Sequence, residues 1–263
     1  MSPRVLVVAG HDPSYRVGYG AGVDADREVC THFGVRAECV VATETDQDGA
    51  RVKGVRPRAE ESWLAEARAL AGSGVQAVKS GLLARRAAVE AMAELVDELR
   101  AAQPDLPVVV DPVLAASGGE RFLDPDGVRA LLTTLLPRGV ILTPNLPEAA
   151  ELAETAPATL ARDPGARLKA AEALLARGAA AVVLKGGHAS DALARDLVLA
   201  RGGACVWLER RRVRGARVHG SGCRFASAIA ASLALGRSLE DSARAAGDFL
   251  GALMSGLSRG GSA

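Results

Sequence analysis

An alternation of two textures most constrains what this chain can fold into. Short aliphatic runs at Val5–Ala9, Glu38–Ala42, Ala77–Ser80, Val108–Asp111, Val140–Thr143 and Ala181–Lys185 are separated by Ala-, Leu-, Glu- and Arg-rich stretches with helical periodicity. Those helical stretches cover Asp26–His32, Glu60–Ala71, Arg86–Ala102, Asp124–Leu136, Glu148–Ala153 and Ala166–Arg177, and two more, Cys223–Leu235 and Leu239–Leu257, close the chain. Strands covered on both faces read as continuous apolar runs, because neither face meets water. Joining such strands through helices requires right-handed crossovers, so the pattern predicts an α/β fold with a mostly parallel central sheet and helices on both faces. Near Leu197–Leu199 and Val206–Arg212 strand-like runs flank Arg201-Gly202-Gly203, which predicts a short antiparallel edge. No linker, repeat or low-complexity stretch breaks the pattern, so residues 1–263 are expected to form a single domain.

Charge and composition narrow the function classes. The chain carries 32 basic against 31 acidic residues, a formal net charge of +1. Nucleic-acid-binding surfaces usually show a clear basic excess, so nucleic acid is not expected as a partner. The densest basic run, Arg210-Arg211-Arg212 with Arg214 and Arg217 beyond it, is expected to be a solvated strand edge. The longest apolar stretch, near Phe225–Leu235, falls short of the roughly 18–20 residues of a spanning helix, so no membrane partner is expected. Cys30, Cys39, Cys205 and Cys223 lack the spacing of a metal site or disulfide framework, which fits a reduced, cytoplasmic setting.

In an open parallel sheet, ligands bind beyond the carboxyl ends of the strands. The segments at those ends are Gly10-His11-Asp12, Thr43-Glu44-Thr45, Ser80-Gly81, Asp111-Pro112, Thr143-Pro144-Asn145 and Lys185-Gly186-Gly187-His188. One rim therefore receives Gly, Asp, Asn and Lys from separate strands. To these Val218-His219-Gly220-Ser221-Gly222-Cys223 adds a Gly-x-Gly turn running into an Ala-rich helix. The unpaired N–H groups of such a helix start, with the positive end of its dipole, seat an anion such as a phosphoryl group. Cys223 falls on the first turn, where that field is expected to lower a thiol pKa.

Each of these residues also has a plainer explanation. Asp111 ends an apolar strand, where a carboxylate holds Mg²⁺ near phosphates or simply caps the next segment. Asn145 and Glu148 have the spacing of a capping box, and equally of a phosphate contact and a ligand of hydrated Mg²⁺. Lys185, followed by Gly186-Gly187, is a natural counter-charge to a nucleotide phosphate. No Walker loop, dinucleotide fingerprint or nucleophile elbow is present.

Taken in order, Ala9-Gly10-His11-Asp12-Pro13-Ser14, Gly20-Ala21-Gly22-Val23-Asp24-Ala25-Asp26, Asp111-Pro112-Val113-Leu114, Thr143-Pro144-Asn145-Leu146-Pro147-Glu148-Ala149, Leu184-Lys185-Gly186-Gly187-His188 and His219-Gly220-Ser221-Gly222-Cys223 resemble the hydroxymethylpyrimidine and phosphomethylpyrimidine kinases of thiamine biosynthesis. These are ribokinase-like proteins, and the resemblance runs from about Val5 to Leu250. It implies an ATP- and Mg²⁺-dependent kinase of 4-amino-5-hydroxymethyl-2-methylpyrimidine, of its monophosphate, or of both. By position it makes Cys223 the base, with Gly220, Ser221 and Gly222 as the anion hole. Lys185 and Asn145 meet the nucleotide phosphates, and Asp111 and Glu148 the metal and its waters. The alcohol pocket maps to Gly10, Ala21, Asp26, Thr45, Leu82 and Val113. A homodimer is compatible with the resemblance.

Several positions depart from the family pattern. Tyr15-Arg16-Val17-Gly18-Tyr19 adds about four residues over the substrate and is expected to form a flap. Glu44-Thr45-Asp46 stands where the family has a Gln, and Ala115-Ala116-Ser117-Gly118-Gly119 lacks the family's Lys. Arg217-Val218 replaces Asn-Thr, and Arg224 replaces a Thr. The transfer machinery thus matches better than the substrate pocket. A pyridoxal-type kinase is the alternative enzyme, and a non-catalytic small-molecule-binding module of the same fold is the alternative of another class.

Overall fold

The computed structural model describes residues 2–12, 20–47, 52–116, 118–187, 193–213 and 218–260. Nine described strands form one sheet: β1 (Arg4–His11), β2 (Arg36–Gln47), β3 (Val52–Pro57), β4 (Ala77–Ser80), β5 (Val108–Val110), β6 (Ile141–Leu142), β7 (Ala181–Leu184), β8 (Leu193–Ala200) and β9 (Cys205–Arg211). Their order across the sheet is β3-β2-β1-β4-β5-β6-β7-β8-β9. From β2 to β7 all pairings are parallel, while β2–β3, β7–β8 and β8–β9 are antiparallel. The predicted hairpin is β8–β9. The opposite edge strand, β3, is not apparent in the sequence. It carries Gly54, Pro57 and the basic Lys53 and Arg56, a composition suited to an edge strand, and its pairing to β2 makes it a strand.

Helices α1 (Val23–His32), α2 (Glu60–Ala71), α3 (Arg86–Ala102), α4 (Pro125–Ala130), α5 (Leu146–Leu152), α6 (Pro157–Arg162), α7 (Pro164–Ala176), α8 (Ser221–Ala234) and α9 (Leu239–Gly260) cover the two faces. The segment expected to be one helix from Asp124 breaks after Ala130 into a π-helical turn, Leu131–Leu135, and a 3-10 turn, Leu136–Arg138. Pro137 is the physical reason: its ring crowds the carbonyl four residues back, so the preceding turn widens.

Side-chain alternation along the strands sorts the core into two halves. Leu6, Val8, Val78, Val108 and Val110 pack with α2 and α3 on one face. Val5, Val7, Ala9, Ala77 and Val109 pack with α1, α8 and α9 on the other. Helix α8 lies so deep that Phe225, Ala226, Ala228, Ile229, Ala230 and Ala231 are all buried, and its alanines allow that close approach. Strand order reverses between β1 and β4, since β1 leads outward to β2 while β4 starts the run to β7. A crevice opens at such a reversal, beyond the carboxyl ends of the strands. Helix α8 starts there.

Candidate active site

Three backbone segments meet at the crevice. Gly22, at φ +64°, has no room for a side chain: a Cβ would lie 1.9 Å from the Gly10 carbonyl oxygen. That contact and the bridge between His11 and Gly22 lay Gly20-Ala21-Gly22 across the end of β1. Gly220, at φ +68°, packs in turn on Ala21, whose Cα would be 3.1 Å from an added Cβ. Leu82 reaches Gly10 from β4, 3.0 Å from where a Cβ would stand. Gly10, Ala21, Leu82 and Gly220 are therefore brought together as expected. Val113 lines a small concavity with Gly81, Asp111 and Pro112. Thr45 is buried, and its hydroxyl donates to the His11 carbonyl at 3.4 Å and accepts from the Gln47 amide at 3.0 Å.

Asp26 sits differently. It is fully buried, its two carboxylate oxygens accepting from Lys79 Nζ at 2.9 and 2.8 Å and one of them from Ser227 Oγ at 2.6 Å. Its side chain is committed inside the protein rather than lining an open pocket. Burial raises the Asp26 carboxyl, and Lys79 and Ser227 oppose that rise. The Lys79 ammonium is held above its usual range: burial would lower it, but Asp26, Cys223 and Asp111 outweigh that. Lys79 was not among the expected site residues. Its signal in the sequence is a charge inside the otherwise buried run Ala77-Val78-Lys79-Ser80.

At the ends of β5 and β7, Lys185 Nζ donates to Asp111 Oδ1 at 2.8 Å. The start of α8 faces this pair directly, since a Cβ on Gly222 would be 3.3 Å from Lys185 Nζ and 3.5 Å from Asp111 Oδ2. Asn145 and Glu148 do form the capping box: Asn145 Oδ1 accepts from the Glu148 amide at 2.9 Å, and Glu148 Oε2 from the Asn145 amide at 2.8 Å. The box also aims Glu148 inward, where burial pushes its carboxyl up to about 7 against the pull of Lys185, with Asp111 adding to the rise. Lys185 is itself raised, because Asp111 and Glu148 more than offset its burial. Capping and site placement are thus one arrangement.

Two expectations are overturned here. The helix start does not lower the Cys223 thiol. Burial pushes it up to about 12, with Asp111 and Asp26 adding to the rise, while Lys79 and a hydrogen bond from the Gly22 backbone pull the other way. Desolvation outweighs the helix dipole because the dipole is worth about 1 kcal/mol and enclosing a thiolate costs several times that. Nor are Arg210 and Arg212 simply solvated. Arg210 pairs with Asp196, whose other oxygen accepts from the Gly186 amide at 2.8 Å, and Arg212 donates to the Gly186 and Gly187 carbonyls. The basic run braces the Lys185-Gly186-Gly187 turn. Arg224 is wholly buried as well. It donates to the Gly20 carbonyl at 3.1 Å and the His219 carbonyl at 2.6 Å, and pairs with Glu28 at 2.7 Å, so it straps the helix start to the Ala21 segment. The Tyr15–Tyr19 insertion, Ser117, His188, Arg214 and Arg217 lie outside the described residues.

A deep helix start at a strand-order reversal, facing a lysine and two carboxylates, is a phosphoryl-transfer arrangement. The family model described as phosphomethylpyrimidine kinase matches residues 17–261. The chain belongs to that family. Its members are phosphotransferases, and so is this chain. A hydroxymethylpyrimidine/phosphomethylpyrimidine kinase of Streptomyces coelicolor is 37% identical over 98% of this chain and 91% of its own length. One from Rhizobium meliloti is 36% identical over 98% and 93%. Among solved structures, a Staphylococcus aureus pyridoxal kinase in complex with ADP superposes with a TM-score of 0.82 at 27% identity, covering 97% of this chain and 88% of that one. The ribokinase-like fold read from the sequence is the fold observed. No helix among the described residues is long and apolar enough to cross a membrane.

Proposed function

We propose that the chain is an ATP-dependent kinase that phosphorylates the hydroxymethyl group of 4-amino-5-hydroxymethyl-2-methylpyrimidine, its monophosphate, or both, as one domain working in the cytoplasm. The observation that carries this reading is Lys185 Nζ paired to Asp111 and standing over Gly222 at the start of α8. A transferring phosphoryl group spreads charge over its oxygens, and catalysis then rests on fixed donors and cations aimed at that charge. The amides of the Gly220–Gly222 turn supply the donors, that of Ser221 also donating to the Val218 carbonyl at 3.3 Å, and Lys185 supplies the cation. Gly10, Ala21, Leu82 and Val113 shape the wall on which a flat apolar ring rests.

Among the described residues no three acidic, His or Cys side chains cluster as a protein-only metal cage. Mg²⁺ at kinase sites is held by one or two carboxylates together with substrate phosphates and water, and Asp111 with Glu148 is such a hard-oxygen donor set. These two residues would hold the ion, which neutralises phosphate charge when bound. Cys223, on the first turn of α8, would take the proton of the attacking hydroxyl. With the site empty its thiol keeps its own proton, so base action depends on the cations beside it.

Pyridoxal is the second substrate reading, because a Bacillus subtilis pyridoxal kinase superposes with a TM-score of 0.81 over 95% of this chain. ATP consumption by purified protein with hydroxymethylpyrimidine, its monophosphate and pyridoxal decides between them. The pyrimidines are expected to be turned over at the higher kcat/KM. Tight ligand binding without turnover of any of the three would leave a binding module instead.

A further inference from the structure

The pair formed by Lys79 and Asp26 is the feature that neither the fold nor the phosphate site explains. Both side chains are completely buried. A desolvated ion pair is a poor way to stabilise a fold, since well-packed apolar residues of the same size usually do as well or better. This pair also joins three elements that all lead to the crevice. Lys79 comes from β4, Asp26 from α1, and Ser227, which donates to Asp26 at 2.6 Å, from α8. Ser227 is one helical turn beyond Cys223, so the two share a face of α8. The ammonium lies just under the strand end, 2.8 Å from where a Cβ on Gly81 would be. Its charge reaches Cys223, where it is the largest influence opposing burial.

Resting on the reading of Cys223 as base, we propose that Lys79 is a positioning residue for phosphoryl transfer: clamped by Asp26 and Ser227 beneath the first turn of α8, it supplies the fixed positive charge that lets Cys223 release its proton and accept that of the substrate hydroxyl. The proton balance is simple. Cys223 must first give its own proton to solvent, then take one from the hydroxyl as that oxygen bonds to the γ-phosphorus of ATP while the bond from that phosphorus to the bridging oxygen breaks and ADP leaves with the electron pair. Lys79 exchanges none and remains an ammonium. Among the described residues, the charged groups that face Cys223 are Lys79 from β4, Asp26 from α1, Asp111 beyond β5 and Lys185 beyond β7. The two acids work against release of the thiol proton and the two lysines favour it. Asp26 serves the site by holding Lys79 charged, although its own charge acts the opposite way on the thiol.

The test reads Cys223 directly. Wild type, Lys79→Met and the double variant Lys79→Met/Asp26→Asn are treated with a small neutral thiol reagent between pH 7 and 9, and modification is followed peptide by peptide. Exposed Cys205 serves as the internal reference. On this limb the rate follows the thiolate fraction, so each unit of pKa change is about tenfold. The Cys223 rate relative to Cys205 is expected to fall about tenfold or more in Lys79→Met, and by a smaller factor in the double variant, where the opposing Asp26 charge is lost as well. In the double variant, kcat is expected to fall in parallel with KM for ATP within about threefold, a split that a general loss of structure would not give. The double variant leaves no buried charge unpaired, so it keeps the proposal testable if Lys79→Met does not fold. An unchanged or faster Cys223 rate in a folded double variant overturns the proposal and leaves the pair a structural tie. Full turnover by Cys223→Ala would remove the base reading by itself, while the modification rates would still report what Lys79 does to the thiol.

Discussion

Two lysine–aspartate pairs flank Cys223: Lys79 holds both oxygens of Asp26, Lys185 one oxygen of Asp111, and the two pairs differ above all in access. Lys79–Asp26 and Lys185–Asp111 each span 2.8 Å at their closest approach. The first is sealed, with side-chain exposures of 0% and 0%, while the second keeps 12% and 3% at the rim. The rim pair can exchange its internal partner for an incoming phosphate or a hydrated cation, because water and ligand reach it. The sealed pair cannot, so whatever it does is done through its field and its hydrogen bonds. The same ion-pair chemistry therefore serves as a ligand seat in one place and as a fixed charge in the other. Depth in the sheet–helix interface makes the difference.

The comparison is sharpened most by removing the thiol between the two pairs. Cys223→Ala is expected to lose roughly 10²–10⁴-fold in kcat, the usual worth of general-base catalysis, with nucleotide affinity retained. Steady-state rates and ADP titration of the same preparation check this, and near-normal turnover would reduce Cys223 to packing. Next in size is Lys79→Met alone. It strands Asp26 without its cation, which typically costs about 3–5 kcal/mol, whereas adding Asp26→Asn should recover most of that loss. Urea denaturation of both variants provides the numbers, and equal destabilisation would mean the two side chains are not energetically linked.

Lys185→Met is expected to break the symmetry the other way. Its principal effect is about a 10²-fold fall in kcat/KM for ATP, from the lost cation at the transferring phosphate, with a smaller stability change than Lys79→Met. A stability loss matching that of Lys79→Met, with ATP kinetics intact, would erase the distinction between rim and interior.

The smallest effect concerns the thiols buried around the site. Burial pushes Cys30 up to about 12 and Cys39 up to about 11. In the unfolded chain these thiols ionise near 9, so above that pH the unfolded state sheds protons that the folded state keeps. Their contribution to stability is complete below about pH 9 and is lost as pH rises toward 11 and 12. Denaturation midpoints at pH 8 and pH 10 should show the decline, and Cys30→Ala should flatten it. An identical slope in that variant would assign the decline to other groups.

Helices α2 and α3 and strand β4 have the boundaries read from the sequence, because long amphipathic periods and a short buried run are local patterns. Strand β3 and the break after Ala130 escaped that reading. One depends on a partner strand and the other on how a single proline is absorbed by the turn before it. That Asp111, Asn145, Glu148, Lys185 and the Gly220–Cys223 turn gather in one place could be read from the sequence, because parallel crossovers carry every strand's carboxyl end to the same rim. Asp26 was read as a pocket residue, whereas its side chain is sealed against Lys79 and Ser227, and the bracing role of Arg210 through Asp196 had no local sign at all.

The residue pattern by itself determined a mostly parallel sheet, the rim where ligand-binding groups collect, and the turn that opens α8. Each follows from chain-local physics: hydrophobic period, crossover handedness and unpaired amides at a helix start. Only the tertiary structure decided which charges are sealed and which are open, and on which side of neutrality a thiol in their midst rests. Those outcomes depend on desolvation and on distances between groups far apart in sequence. Lys79 and Asp26 are 53 residues apart and Lys185 and Asp111 are 74 apart, and the close packing of α8 on the sheet brings both pairs to Cys223.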